Sequence, residues 1–211
     1  LKAVLFDLDN TLVDRDRAWA EVLDASAPDL DPALRQRALH EDFHGRRPRA
    51  EYVRWLEDNA PEVLTHLPRS RPWAHIADAI AARVRAYELV PQTLYRMQAK
   101  FRIALVSDGS SAVQHKKLRT AGLTSFFEVV VVSEEVGASK PSAKPFEHAL
   151  EQLGVRPEQA VFVGDHPERD VQGAARLGLT AVWRRHGPWP AYLPKPRLAI
   201  DGVHQLEALL S

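Results

Sequence analysis

The chain has 211 residues, 28 Lys plus Arg against 28 Asp plus Glu, and no cysteine. The charge balance removes any global attraction to nucleic acid or an anionic membrane, and the lack of thiols excludes disulfides and leaves oxygen and imidazole as the only metal donors. The length exceeds the usual single domain of about 100–150 residues, which points to one domain with an insertion or to two domains. Ala3 to Phe6 is the first predicted element: four apolar residues in a row suit a strand covered on both faces. It runs into Asp7-Leu8-Asp9-Asn10-Thr11. Two carboxylates at the end of such a strand are costly unless a cation or a reaction uses them, the alternative being a solvated acidic turn.

Residues 15–88 contain no strand-like run. Their apolar residues recur at helical spacing, as in Ala18, Trp19, Val22, Leu23 and in Tyr52, Val53, Leu56. Asp31-Pro32 reads as a helix start, and Pro48, Pro61, Pro68 and Pro72 divide the segment into helices of moderate length. After this segment the pattern changes. Strand-like runs follow at Arg102–Val106, Glu128–Val132, Ala160–Val163, Thr180–Trp183 and Leu198–Ile200, interleaved with helical patterns at Ser110–Ala121, Ala143–Gly154 and Asp170–Leu177. Gly122, Gly154 and Gly178 stand where helices should stop. Gly187-Pro188-Trp189-Pro190 and Pro194-Lys195-Pro196 mark an irregular exposed loop. The alternation predicts an α/β fold, a doubly wound parallel sheet with helices on both faces. Residues 1–14 and 89–211 make the expected core domain, and 15–88 an inserted helical domain. No apolar run reaches the ~18 residues that span a bilayer and no signal peptide precedes the first strand, so the expected location is the cytoplasm.

Ligands of open parallel sheets bind beyond the carboxyl ends of the strands, and each strand end here carries suitable chemistry. The second ends in Ser107-Asp108-Gly109-Ser110, where a hydroxyl and backbone N–H groups can donate to a phosphate; taken alone, the same residues read as helix caps. Lys140-Pro141 follows the third, and a lysine fixed there can neutralise phosphate and nucleophile together, although a single loop lysine is ordinarily a solvated charge. Gly164-Asp165 to Asp170 follows the fourth and supplies two further carboxylates of the kind hard divalent cations want, with N-capping of the next helix as the alternative for Asp170.

These four motifs, in this order and on these elements, resemble those of the haloacid dehalogenase (HAD) superfamily over essentially the whole chain. The resemblance implies a Rossmann-like core with the helical insertion as a C1-type cap, as in subfamily I. It implies a Mg²⁺-dependent phosphatase acting on a small phosphorylated metabolite, with Asp7 as nucleophile and Asp9 as general acid and base. Ser107, Asp108, Gly109 and Lys140 would bind phosphate. Asp7, the backbone carbonyl of Asp9 and Asp165 would hold Mg²⁺. Asp170 would orient Lys140 or a metal-bound water, and Thr11 would position the loop by hydrogen bonding. Dehalogenases of the superfamily lack an acid at the place of Asp9, and phosphonate-cleaving relatives use a cap lysine, whereas 14–91 contains no lysine. A sugar-phosphate mutase and a non-catalytic binding protein stand as alternatives. A monomer or homodimer, without nucleic acid or membrane partners, is expected. The cap cluster Arg46, Arg47 and Arg49 reads either as a contact for an anionic leaving group or as a solvated loop, and the tryptophans read as packing residues.

Overall fold

Every side chain of Ala3–Phe6 (β1) is buried. In the computed structural model, which describes residues 1–210, β1 lies inside a six-stranded sheet. The other strands are β2 (Arg102–Ser107), β3 (Val129–Val132), β4 (Ala160–Gly164), β5 (Thr180–Arg184) and β6 (Leu198–Ile200). All neighbours pair in parallel, in the order β3-β2-β1-β4-β5-β6. Strand order reverses between β1 and β4, so their carboxyl ends border the crevice where such sheets bind ligands. The register sets Phe6 beside Val163, and the Asp7 N–H donates to the Val163 carbonyl at 2.9 Å. The first residues after β1 and β4 are thereby fixed as neighbours.

The helices, in chain order, are α1 (Arg15–Ser26), α2 (Pro32–Asp42), α3 (Arg49–Asn59), α4 (Pro72–Ala81), α5 (Val90–Gln98), α6 (Ser111–Thr120), α7 (Ser133–Val136), α8 (Ala143–Leu153), α9 (Gly173–Leu177) and α10 (Leu206–Leu209). Phe146, Ala149, Leu150 and Leu153 of α8 pack on Leu5, Ala104, Val106 and Phe162, with the Phe146 and Phe162 rings edge to face at 4.9 Å. Burial of apolar area on this scale is the main stabilising contribution.

One predicted element differs. The helix expected over 170–177 is a π-helical turn, Pro167–Gln172, running into α9. His166 caps the turn, its Nδ1 accepting from the N–H groups of Glu168 and Arg169 at 3.2 and 3.3 Å. Asp170 lies inside the turn and is not the N-cap.

The chain divides into two compact units, Leu1–Val13 with the chain from Ala86 onward, and Asp14–Arg85. The second is helical and has its own aromatic core. Tyr52 meets Trp19 and Trp73 edge to face at 5.9 and 6.1 Å, and its hydroxyl donates to the Ala38 carbonyl at 2.8 Å. Asp31 caps α2 through the N–H groups of Ala33 and Leu34, as its place before Pro32 requires. Buried Asp42 is held by Arg15 and accepts the Gly45 N–H, shaping a loop in which Phe43, His44 and Gly45 all have positive φ. Among the described residues no helix is long and apolar enough to cross a membrane.

Candidate active site

Asp7, the first residue after β1, is buried. Its Oδ1 accepts from Lys140 Nζ at 2.7 Å. The same ammonium lies 2.7 Å from Asp170 Oδ1 and donates to the Val106 carbonyl at 3.0 Å. Lys140 is itself fixed at its backbone, where its N–H donates to Asp108 Oδ1 at 3.0 Å. Lysine rarely tolerates full burial, and here the carboxylates make it possible. Burial alone would lower the Lys140 pKa, but Asp170, Asp7 and Asp108 override it and hold the amine above the ordinary lysine value. The same burial pushes Asp7 well above the usual carboxylate range against the pull of Lys140, with Asp170 and Asp165 adding to the rise. Burial also raises Asp108, with Lys140 opposing.

Asp7, Asp165 and Asp170 each place one ligand atom within 4.8 Å of the other two. Asp165 is steadied through its carbonyl, which accepts the Trp183 indole N–H at 2.9 Å, so this tryptophan does more than pack. Asp170 reaches back across the strand end, its Oδ2 accepting the His166 N–H at 2.9 Å. It can do so because residue 164 is glycine: a Cβ there would stand 2.4 Å from Asp170 Oδ2 and 2.5 Å from its Cγ.

The nucleophile loop is a tight turn. Asn10 is left-handed, a conformation asparagine tolerates, and its N–H donates to the Val13 carbonyl at 2.8 Å. Asp9 meets Lys117 of α6, Nζ to Oδ2 at 2.5 Å. Thr11 departs from expectation: its N–H donates to the Leu8 carbonyl at 3.3 Å, but its buried Oγ1 has no hydrogen-bond partner among the described residues. Ser107 is buried at the end of β2. Gly109 follows Asp108 in the turn after β2. Its N–H donates to Ser133 Oγ at 2.9 Å. The position requires glycine, with φ +142° and a Cβ position only 2.4 Å from Gln114 Nε2. Gln114 and Lys117 were not singled out in the sequence. They lie one turn apart on the buried face of α6, and Gln114 Nε2 donates to the Asp108 carbonyl at 2.6 Å.

Asp7, Asp9, Asp108, Asp165 and Asp170 together carry more negative charge than Lys117 and Lys140 neutralise. An acidic excess, partly buried and with oxygen-only donors, suits a hard divalent cation such as Mg²⁺. Asp7, Asp165 and Asp170 are the carboxylates whose ligand atoms lie close enough together to hold one, and Lys140 pairs with both Asp7 and Asp170.

Comparison with known proteins agrees with this geometry. The family profile described as haloacid dehalogenase-like hydrolase matches residues 1–178. A glyceraldehyde 3-phosphate phosphatase of Methanopyrus kandleri is 31% identical across 98% of this chain and 95% of its own length. A phosphoserine phosphatase of Thermus thermophilus is 40% identical across 54% of this chain and 48% of its own. Among solved structures, a HAD phosphatase from Thermococcus onnurineus superposes with a TM-score of 0.71 at 28% identity, covering 100% of this chain and 98% of that one. The sheet order, the profile and the full-length relative converge on one family, and the chain belongs to the haloacid dehalogenase-like hydrolases.

Proposed function

We propose that the protein is a Mg²⁺-dependent phosphatase that hydrolyses a small phosphorylated metabolite through an aspartyl-phosphate on Asp7. The observation that carries this reading is the buried Asp7–Lys140 pair at the β1–β4 crevice, beside Asp165. A carboxylate approaching a phosphate dianion is repelled, and a fixed ammonium at 2.7 Å offsets that repulsion where water cannot screen it. The names of the relatives, a triose phosphate phosphatase and a phosphoserine phosphatase, support small monoesters as the substrate class.

In this reading Asp7 attacks phosphorus as the ester P–O bond breaks, and Asp9 gives its proton to the departing alkoxide. Asp9, now ionised, takes a proton from the water that attacks the phosphorylated Asp7, and inorganic phosphate leaves. Lys140 and the Ser107 hydroxyl hold the non-bridging oxygens. Asp108 and Asp170 fix Lys140 from its backbone and its head group. Asp7, Asp165 and the Asp9 carbonyl would hold Mg²⁺, which supplies Lewis-acid stabilisation of the transferring phosphoryl group. Residues 15–88, inserted directly after the nucleophile motif, serve as the cap that selects the leaving group.

Hydrolysis of p-nitrophenyl phosphate, measured with Mg²⁺, with a chelator, and in Asp7→Asn, tests the reading. Activity should require Mg²⁺ and fall by about 10⁴-fold or more in the variant, as removal of a covalent nucleophile does elsewhere. Equal turnover under all three conditions would overturn it.

A further inference from the structure

Lys117 is the second buried lysine of the core unit, and the phosphatase reading gives it no task. Its buried ammonium meets a carboxylate, Asp9 Oδ2, at 2.5 Å. A lysine on a ten-residue helix ordinarily extends its head group into solvent. This one points inward because α6 turns Gln114, Lys117 and Leu118 towards the core. Asp9 is only partly covered, with 26% of its side chain exposed, and stands in a turn whose neighbour Asn10 is left-handed. Of its carboxylate oxygens, Oδ1 is buried and Oδ2 meets Lys117. Lys140 is occupied by Asp7, Asp170 and the Val106 carbonyl. The two ammonium groups therefore divide the carboxylates between them, Lys140 taking the nucleophile and Lys117 taking Asp9.

We propose that Lys117 is a positioning residue: by gripping Oδ2 it sets the plane of the Asp9 carboxylate and hence the line along which Asp9 delivers a proton to the leaving oxygen. Gln114, one turn earlier, binds the Asp108 carbonyl, so a single helix registers the proton donor against the loop that fixes Lys140. The inference rests on the assignment of Asp9 as general acid, and the experiment separates the two.

Benzyl phosphate and p-nitrophenyl phosphate have similar shape but leaving groups of very different basicity. Only the benzyl alkoxide depends strongly on a proton from the enzyme, and kcat/KM reports events up to the first irreversible step. In Asp9→Asn, kcat/KM should fall far more for benzyl phosphate than for p-nitrophenyl phosphate. Lys117→Met should show the same split, at least about tenfold between the two substrates, within the range general acid catalysis spans. Lys117→Arg, which keeps a cation on Asp9, should recover most of the benzyl phosphate rate. The double variant Asp9→Asn/Lys117→Met should be no slower than Asp9→Asn alone, because Lys117 acts through Asp9. An equal loss on both substrates in Lys117→Met, or multiplicative losses in the double variant, would overturn the inference and leave the role of Asp9 intact. Absence of the split in Asp9→Asn would overturn both. If the methionine variant does not fold, Lys117→Gln carries the same comparison.

Discussion

At Asp7, burial and charge pull in opposite directions, and burial wins: its pKa stands well above the usual carboxylate range despite the adjacent Lys140. A carboxyl group with a raised pKa binds its proton more tightly in the folded chain than in the unfolded one. Its contribution to stability is intact below the unfolded pKa and is lost as pH rises through the folded one. Without a cation, ionised Asp7 therefore costs stability near neutrality. Lys140 does not mask the effect, since it is held above the ordinary lysine value and stays charged throughout. Asp7→Asn should melt higher than the wild type in a chelator at pH 7–8. The gap should close as pH falls towards about 4, the ordinary aspartate range. A wild type that melts higher than the variant at neutral pH without metal would contradict this balance. Asp7 and Asp165 are conspicuous in the sequence because acids directly after apolar runs are costly and rare there. Lys117 is not. In Gln114-His115-Lys116-Lys117 either lysine could face inward, and a shift of one residue turns a helical side chain by about 100°. Only the packing of Leu118 and Gln114 settles which of the two meets Asp9.

The strands are legible as elements because each is a short apolar run that must be covered on both faces. Their order is not, since β1 pairs with β2 and β4 across long stretches of chain and no local pattern records that choice. The turn after β4 is least legible. Its sequence carries helix formers and a plausible acidic cap, yet Pro167 and the His166 cap wind it as a π-helical turn that brings Asp170 back over Gly164. That return makes Gly164 a steric requirement. Gly164→Ala would set a Cβ within 2.4–2.6 Å of the Asp170 side chain, which belongs to the short, packed segment holding Lys140. The side chain must give way, and both its ion pair with Lys140 and its hydrogen bond from the His166 N–H are then lost. The expected cost is about 1–3 kcal/mol of stability, typical of overpacking. Phosphatase activity should fall at least tenfold, a rough figure for a misplaced positioning group. An alanine variant with wild-type melting and turnover would show that Asp170 is not fixed by this contact.

Across the whole molecule, the acidic cluster draws on segments far apart in sequence: the loop after β1, Asp108 after β2, Lys140 before α8, and Asp165 to Asp170 after β4. Burial above all, with the neighbouring carboxylates adding to it, raises the cost of ionising Asp7 and Asp108 there, and Lys140 opposes that rise. A divalent cation bound there acts on several of these segments at once, and it is bound by the native chain alone because the unfolded chain does not bring the ligands together. Mass action then raises stability by RT ln(1 + [L]/Kd), about 2.7 kcal/mol at one hundred times Kd. At ~2–4 °C per kcal/mol the melting temperature should rise by roughly 5–11 °C when Mg²⁺ is titrated into chelator-treated protein. Asp165→Asn removes a proposed ligand without opening a cavity, so it should fold, lose most of that rise, and leave little dependence of melting on Mg²⁺. Trp183 reports locally, because its indole donates to the Asp165 carbonyl, and its emission should respond to Mg²⁺ in the wild type and not in the variant. A Mg²⁺-induced rise of equal size in Asp165→Asn would place the cation elsewhere and remove Asp165 from its coordination.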